Sequence, residues 1–330
     1  MTLRPLTVCV VDMNDGHVNQ AMRCLRGLVT RFFRHVHLYN ADLECRLLEV
    51  SPRDTNDAIP AADLYLSSGG PGSPYDGDGQ PWAEAYSRFA DSIVDSTHKG
   101  GSDARSLFAI CYSFEMVVRH FRVAEVAPRA ERKFGVMPVY MTPEGQRHAL
   151  LAAFGDRLFA FEHRNWEAID LDAAALSRLG GAVLAQESRD GLSKGRAILG
   201  LDVAPGIEAV QFHPEADRPG VLNWVARPDQ AAAFKAVYGE LTYKAMLRTL
   251  DDPRRLARTY ALLIPGWMVR RFNLLAPSRG YAPLGPPSEE VTGAFAPGEG
   301  TPALGALPSE PPPALSSGDS PPPPPGGEGS

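Results

Sequence analysis

The sequence predicts an α/β protein built on a mostly parallel sheet, with antiparallel pairing along one side. Two observations carry this expectation. Through the first half, short β-branched apolar runs alternate with stretches of helical periodicity, the rhythm of a parallel sheet with crossover helices. In the second half, short strands follow one another with few helices between them, which favours antiparallel neighbours.

Taken in order, Leu6–Asp12 (LTVCVVD) reads as a strand buried on both faces. Val18–Phe33 places Met22, Leu25, Leu28, Val29 and Phe32 at helical spacing, and Glu44–Val50 is a second strand. Asp63–Ser68 (DLYLSS) is a third, running into Gly69-Gly70-Pro71-Gly72. Pro81–Val94 is a helix with Trp82, Ala85, Phe89 and Ile93 on one face. Ser106–Ile110 is a buried strand that leads directly to Cys111 and a helix to about Phe121. Short strands are expected at Phe134–Met141, Arg157–Phe161, Ala182–Gln186, Ala197–Leu201 and Ile207–Phe212. Pro228–Leu250 and Pro253–Leu275 each open with a proline in the first turn and read as two helices.

Composition divides the chain further. The 330 residues carry a net charge of −6, yet 276–330 holds 15 of the 30 prolines and 10 of the 31 glycines. That stretch has six acidic residues and one basic, so residues 1–275 are near neutral. The expected organisation is an α/β domain over 1–227, a helical extension over 228–275 and a disordered Pro/Gly-rich acidic tail over 276–330. Nothing in this balance points to nucleic acid or to an anionic membrane. Four scattered cysteines (Cys9, Cys24, Cys45, Cys111) without a CxxC pair give neither a disulfide framework nor a structural zinc site. With no leader-like start and no run of ~20 apolar residues, a cytoplasmic protein with reduced thiols is expected.

Three segments carry chemistry. Cys111 ends the buried strand LFAIC and begins a helix, so its thiol would stand exposed above the carboxyl edge of the sheet, over the positive end of the helix dipole. The competing reading is a small buried cysteine at a strand end. In Ala209–Glu215 (AVQFHPE) a strand delivers His213, and Pro214 turns the chain so that Glu215 can reach the imidazole. A base for the thiol proton and a carboxylate to orient it complete an activated cysteine. Ser67–Pro74 (SSGGPGSP) puts glycines directly after a strand, where backbone N–H groups can face a developing oxyanion, although an ordinary turn has the same composition.

SGGPGSP, the cysteine elbow and QFHPE, in that order, together with Phe134-Gly135 and His163, resemble the class I glutamine amidotransferase domain, close to that part of GMP synthase, over roughly residues 5–225. The resemblance implies a flavodoxin-like three-layer sandwich. It further implies that Cys111 attacks the γ-carboxamide of glutamine, that His213 shuttles the proton and that Glu215 orients it. Gly70 and Tyr112 would supply the oxyanion N–H groups, and Gly69, Gly72, Glu115, His163 and Asn165 would lie on the substrate side. No cofactor or metal is implied. The expected partner is a small-molecule substrate, glutamine or a γ-glutamyl amide. Any ammonia acceptor would be a synthetase or acceptor subunit on another chain, or ammonia is simply released.

Two positions depart from the family's Gly-x-Cys-x-Gly-x-Gln elbow: Ser113 replaces the second glycine and Glu115 the glutamine. An ionised glutamate only accepts hydrogen bonds, so the substrate side is altered in charge and sense. A γ-glutamyl hydrolase with a modified or peptide substrate, and an impaired regulatory protein on the same fold, are the alternatives. The apolar stretch Tyr260–Leu275 reads either as an interfacial membrane anchor or as a helix, bent at Pro265-Gly266, docked on the domain or a partner.

Overall fold

The computed structural model describes residues 3–188 and 196–287. Its first half follows the predicted alternation: β1 (Leu6–Val11), α1 (Gln20–Tyr39), β2 (Cys45–Val50), α2 (Pro52–Thr55), β3 (Leu64–Ser67), α3 (Pro81–Lys99), β4 (Ser106–Ile110) and α4 (Tyr112–Phe121). Asn19 caps α1, its side chain accepting from the Ala21 and Met22 N–H groups, which sets the start of that helix. Then come β5 (Glu125–Met141), α5 (Pro143–Arg147), β6 (Arg157–Ile169), α6 (Ala173–Arg178), β7 (Ala182–Gln186), β8 (Ile198–Ala204) and β9 (Ile207–Val210).

One sheet holds all nine strands in the order β2-β1-β3-β4-β9-β8-β6-β5-β7. The pairs from β2 through β9 are parallel and the rest antiparallel, so the antiparallel strands continue the central sheet instead of forming a separate one. Alternation along β1 sends Val8 and Val10 into one core with α1, and Cys9 and Val11 into another with α3 and α4. Because β1, β3, β4 and β9 run in register and in one direction, the residues just past their carboxyl ends come to one edge. Those are Met13, Gly69, Cys111 and His213. Ligands bind outside such an edge in open α/β sheets.

β5 and β6 are longer than their apolar cores suggest. The added part of β5, EVAPRAERK, is polar, interrupted by a register shift between Pro128 and Lys133. It is held by charge: Arg129 meets Glu167 and Glu187, and Lys133 also meets Glu187. Although burial opposes it, these cations and Arg164 pull Glu187 down to about 2. Hydropathy alone does not register a strand made this way.

The C-terminal helices also differ from the expectation. After α7 (Arg218–Val225), Gly239 at φ +84° divides the first predicted helix into α8 (Pro228–Tyr238) and α9 (Glu240–Leu250). Gly135, at φ +115°, lets α8 seat on β5: a Cβ there would lie 2.6 Å from the Phe234 ring. The last helix, α10 (Leu256–Arg279), continues unbroken through Pro265 and Pro277. Its apolar side, with Leu263, Ile264, Trp267, Met268 and Phe272, is wholly buried in the same core as α1. This helix therefore offers no free apolar face to a membrane surface, and among the described residues no helix is long and apolar enough to cross one. Residues 276–287, expected in the tail, are part of the packed structure. Tyr281 and Leu284 are buried, and Ala282 exchanges hydrogen bonds with the Asn40 side chain. The proline runs Pro311–Pro313 and Pro321–Pro325 lie outside the described residues.

Candidate active site

Every residue of β4 is buried, and the chain leaves it at Cys111 with φ +52° and ψ −105° before α4 begins at Tyr112. A non-glycine residue holds such a backbone at a cost of about 1–3 kcal/mol, which its surroundings must offset. Cys111 is buried where the sequence predicts an exposed thiol, and it lies near enough to His213, just past β9, to raise the imidazole's pKa. The His213 backbone N–H donates to the Phe161 carbonyl at 2.8 Å, fixing it against β6, and Nδ1 lies 2.8 Å from Glu215 Oε1. Burial works against charge on this imidazole, but Glu215 and Cys111 outweigh it and hold the pKa well above the usual histidine value. The structure brings the three residues expected to act to one edge of the sheet, with the His213–Glu215 hydrogen bond made.

The glycine loop after β3 abuts this row. A Cβ on Gly69 would stand 2.8 Å from His213 Cε1 and 3.3 Å from Cys111 Cβ, so the position admits hydrogen alone. Gly69→Ala is therefore expected to displace the imidazole and lower turnover by about 100-fold, with the melting temperature little changed. Steady-state assay beside thermal melting checks this. Gly70 packs on the Met13 carbonyl, and Arg53 braces both. The Arg53 guanidinium donates to Met13 O at 2.8 Å and Pro71 O at 2.9 Å, and lies over the Tyr112 ring at 4.2 Å. The N–H of Tyr112, first in α4, has no acceptor within its own helix. Gly72 stands farther out, exposed in a turn where Ser73 N–H donates to Asp76.

The two departures at the elbow each have a partner. Ser113 is fully buried and joins a chain of hydroxyls: Tyr86 donates to Ser67, Ser67 meets Ser113 at 2.7 Å, and Ser113 donates to Ser68 O at 2.6 Å. Its added atoms are thus accommodated by hydrogen bonding. Glu115, 3% exposed, accepts from Gln211 Nε2 at 2.8 Å. Burial raises its pKa to about 7, against the opposing effects of Gln211, Arg164 and His213.

His163 lies on β6 two residues beyond Phe161, its ring stacked on Phe161 and edge-on to Trp224 at 5.1 Å. Burial, with Arg132 and His213 nearby, drops its pKa to about 3, so the ring is neutral. Asn165 is exposed and takes no part in this cluster, while Trp166 packs on Tyr75 instead. Sequence reasoning passed over Gln211, Arg53, Arg132 and Trp224. Gln211 left one signal, a polar residue at the end of an apolar strand. The other three owe their place to contacts between distant segments.

A cysteine between a parallel strand and a helix, with a histidine past the adjoining strand, sits here on an α/β fold shared with glutamine amidotransferases. No protein-family model matches the sequence, and no curated protein matches it significantly. Among solved structures, the chain is similar to a glutamine amidotransferase from Thermotoga maritima, at TM-score 0.52 and 14% identity, over 81% of this chain and 98% of that one. It is similar to the same extent to the protein SMU.1228c, at TM-score 0.52 and 15% identity, over 81% of this chain and all (100%) of the other.

Proposed function

We propose that this protein is a stand-alone glutamine amidotransferase-like cysteine hydrolase of flavodoxin-like architecture. Cys111 attacks the γ-carboxamide carbon of glutamine while His213 takes the thiol proton and delivers it to the departing ammonia. Water then cleaves the γ-glutamyl thioester to glutamate, with His213 as its base. Glu215 orients and charges the imidazole, and the N–H groups of Gly70 and Tyr112 face the oxyanion. Gly69, Glu115 and His163 lie toward the substrate, and ammonia passes to an acceptor on another chain. The observation that carries this reading is the strained Cys111, packed with His213 against Gly69, and the Glu215 carboxylate 2.8 Å from that imidazole. Incubation with glutamine should release ammonia, and a glutamine-analogue chloroketone should label Cys111. If folded protein shows no ammonia release and no labelling, the proposal is removed.

Glu115 sets an expected pH dependence. In the unfolded chain its carboxyl ionises near the ordinary 4.5, but in the fold only near 7. The unfolded state thus loses its proton first, and stability falls as pH rises from about 4.5 to about 7. Above that range the cost is complete, on the order of 3 kcal/mol. Glu115→Gln should therefore stabilise the protein at pH 8 and leave it nearly unchanged at pH 4. Glutamine turnover should rise severalfold in the variant at pH 8, because a neutral amide removes the buried charge and restores a donor on the substrate side. Paired denaturant titrations and assays at the two pH values test both effects.

A further inference from the structure

Arg53 lies outside the segments that mark the site in sequence, yet its side chain is only 5% exposed. It stands on α2, just past the carboxyl end of β2, and reaches across the neighbouring strand ends. Its Nη1 donates at 2.8 Å to the carbonyl of Met13, past β1, and at 2.9 Å to that of Pro71 in the glycine loop. The guanidinium lies 4.2 Å from the centre of the Tyr112 ring and 5.5 Å from that of Trp82, the second residue of α3. Its ion pair with the exposed Asp15 is long, at 3.7 Å. Gly70 is wedged into the same contact: a Cβ there would stand 2.1 Å from Met13 O and 2.9 Å from Arg53 Nη1. One side chain therefore touches the carbonyl behind Gly70, the loop after it and the ring of Tyr112.

Donors to an oxyanion speed a reaction only if they are fixed before the charge develops. The Met13 and Pro71 carbonyls flank Gly70, and their partial negative charge opposes an anion forming nearby. Arg53 answers both effects, engaging the two oxygens and setting a cation behind the donors. Arginine suits this place because its planar head donates from its edge while its faces lie against aromatic rings. We propose that Arg53 is a positioning residue for the reaction, holding the backbone N–H groups of Gly70 and Tyr112 at the spacing that one oxyanion requires. This rests on the proposed thioester chemistry and adds to it a residue that touches no substrate atom.

The test separates the oxyanion from the thiolate by comparing two reagents, each read at Cys111 by peptide mass. With a glutamine-analogue chloroketone, the thiolate adds to the carbonyl to give an oxyanion, and the sulfur then moves to the adjacent carbon as chloride leaves. Iodoacetamide loses iodide in a single displacement and forms no oxyanion. Arg53→Ala should slow chloroketone labelling by about 100-fold, and leave the rate and pH midpoint of iodoacetamide labelling close to wild type. The kcat for glutamine should fall by about the same 100-fold with KM little changed. Arg53→Lys, which keeps the charge and a donor but not the plane, should recover part of the loss. If Arg53→Ala melts far below wild type, Arg53→Met, which keeps the length but no donor, takes its place with the same expected readings. Equal slowing with both reagents, a loss confined to KM, or a variant that labels like wild type overturns the proposal. Wild type that takes iodoacetamide but neither takes the chloroketone nor releases ammonia removes the proposed reaction, and this inference with it. Wild type that does both, with the Arg53 variants unimpaired, removes the inference alone.

Discussion

Cys111→Ala should abolish ammonia release from glutamine, lowering turnover by roughly 10⁴-fold or more. The expectation rests on how the residues act as a unit. The thioester requires sulfur, and His213 is charged partly because Cys111 sits against it. Removing the thiol therefore deletes the nucleophile and also lowers the imidazole pKa toward that of an ordinary histidine. The second effect can be read without substrate, as a fall in the pH midpoint of the His213 NMR titration. Combining Cys111→Ala with His213→Ala should cost little more than either change alone, since partners in one step are not additive. Turnover that survives in the alanine variant would remove Cys111 from the mechanism.

Glu208→Ala should be the most damaging substitution outside the site. Glu208 lies on β9 with no exposure, and one carboxylate serves three residues of α10. Trp267 Nε1 donates to Oε2 at 2.6 Å, Arg271 Nη2 to Oε2 at 2.7 Å, and Arg270 to Oε1. Burial alone would raise the Glu208 pKa, but Arg271 and Arg270 hold it below the ordinary value. Alanine leaves two guanidinium groups and an indole N–H without their acceptor, for a loss of about 3–5 kcal/mol. At about 2–4 °C per kcal/mol for a chain of this size, melting should fall by roughly 10 °C. The lowered pKa also fixes the sign with pH. This stabilisation is present above the unfolded carboxylate value and disappears as pH falls through the folded one. Denaturant titration across pH 3–7 checks it, and a loss below about 1 kcal/mol would mean that α10 does not depend on this anchor.

Much of the first half was legible because local signals agree there. Leu6–Val11, Leu64–Ser67 and Ser106–Ile110 are apolar at nearly every position and bounded by polar or turn residues, so period and length leave one solution. The turn from β4 into α4 follows from a buried strand ending directly at a helical pattern. Sequence left the polar part of β5 unread because Arg129 and Lys133 find their carboxylates on β6 and beyond β7, a pairing that exists only once the sheet has formed. It likewise could not show that the helix runs on past Pro265-Gly266, where Trp267, Arg270 and Arg271 tie α10 to Glu208 of β9.

At the candidate site the division is the same. Sequence by itself determined which residues could act, since Cys111, His213 and Glu215 each stand at the end of an apolar strand or the turn after it. It also marked where this chain departs from its resemblance, at Ser113 and Glu115. Tertiary structure alone decided what those departures mean. Ser113 completes a hydroxyl chain with Ser67 and Tyr86, and Glu115 meets Gln211, some hundred residues on, deep enough for burial to carry its pKa to about 7. Strand ends are dictated by the periodicity of neighbouring residues. The polarity around a side chain depends on which distant segments exclude water from it, and only the folded chain supplies that.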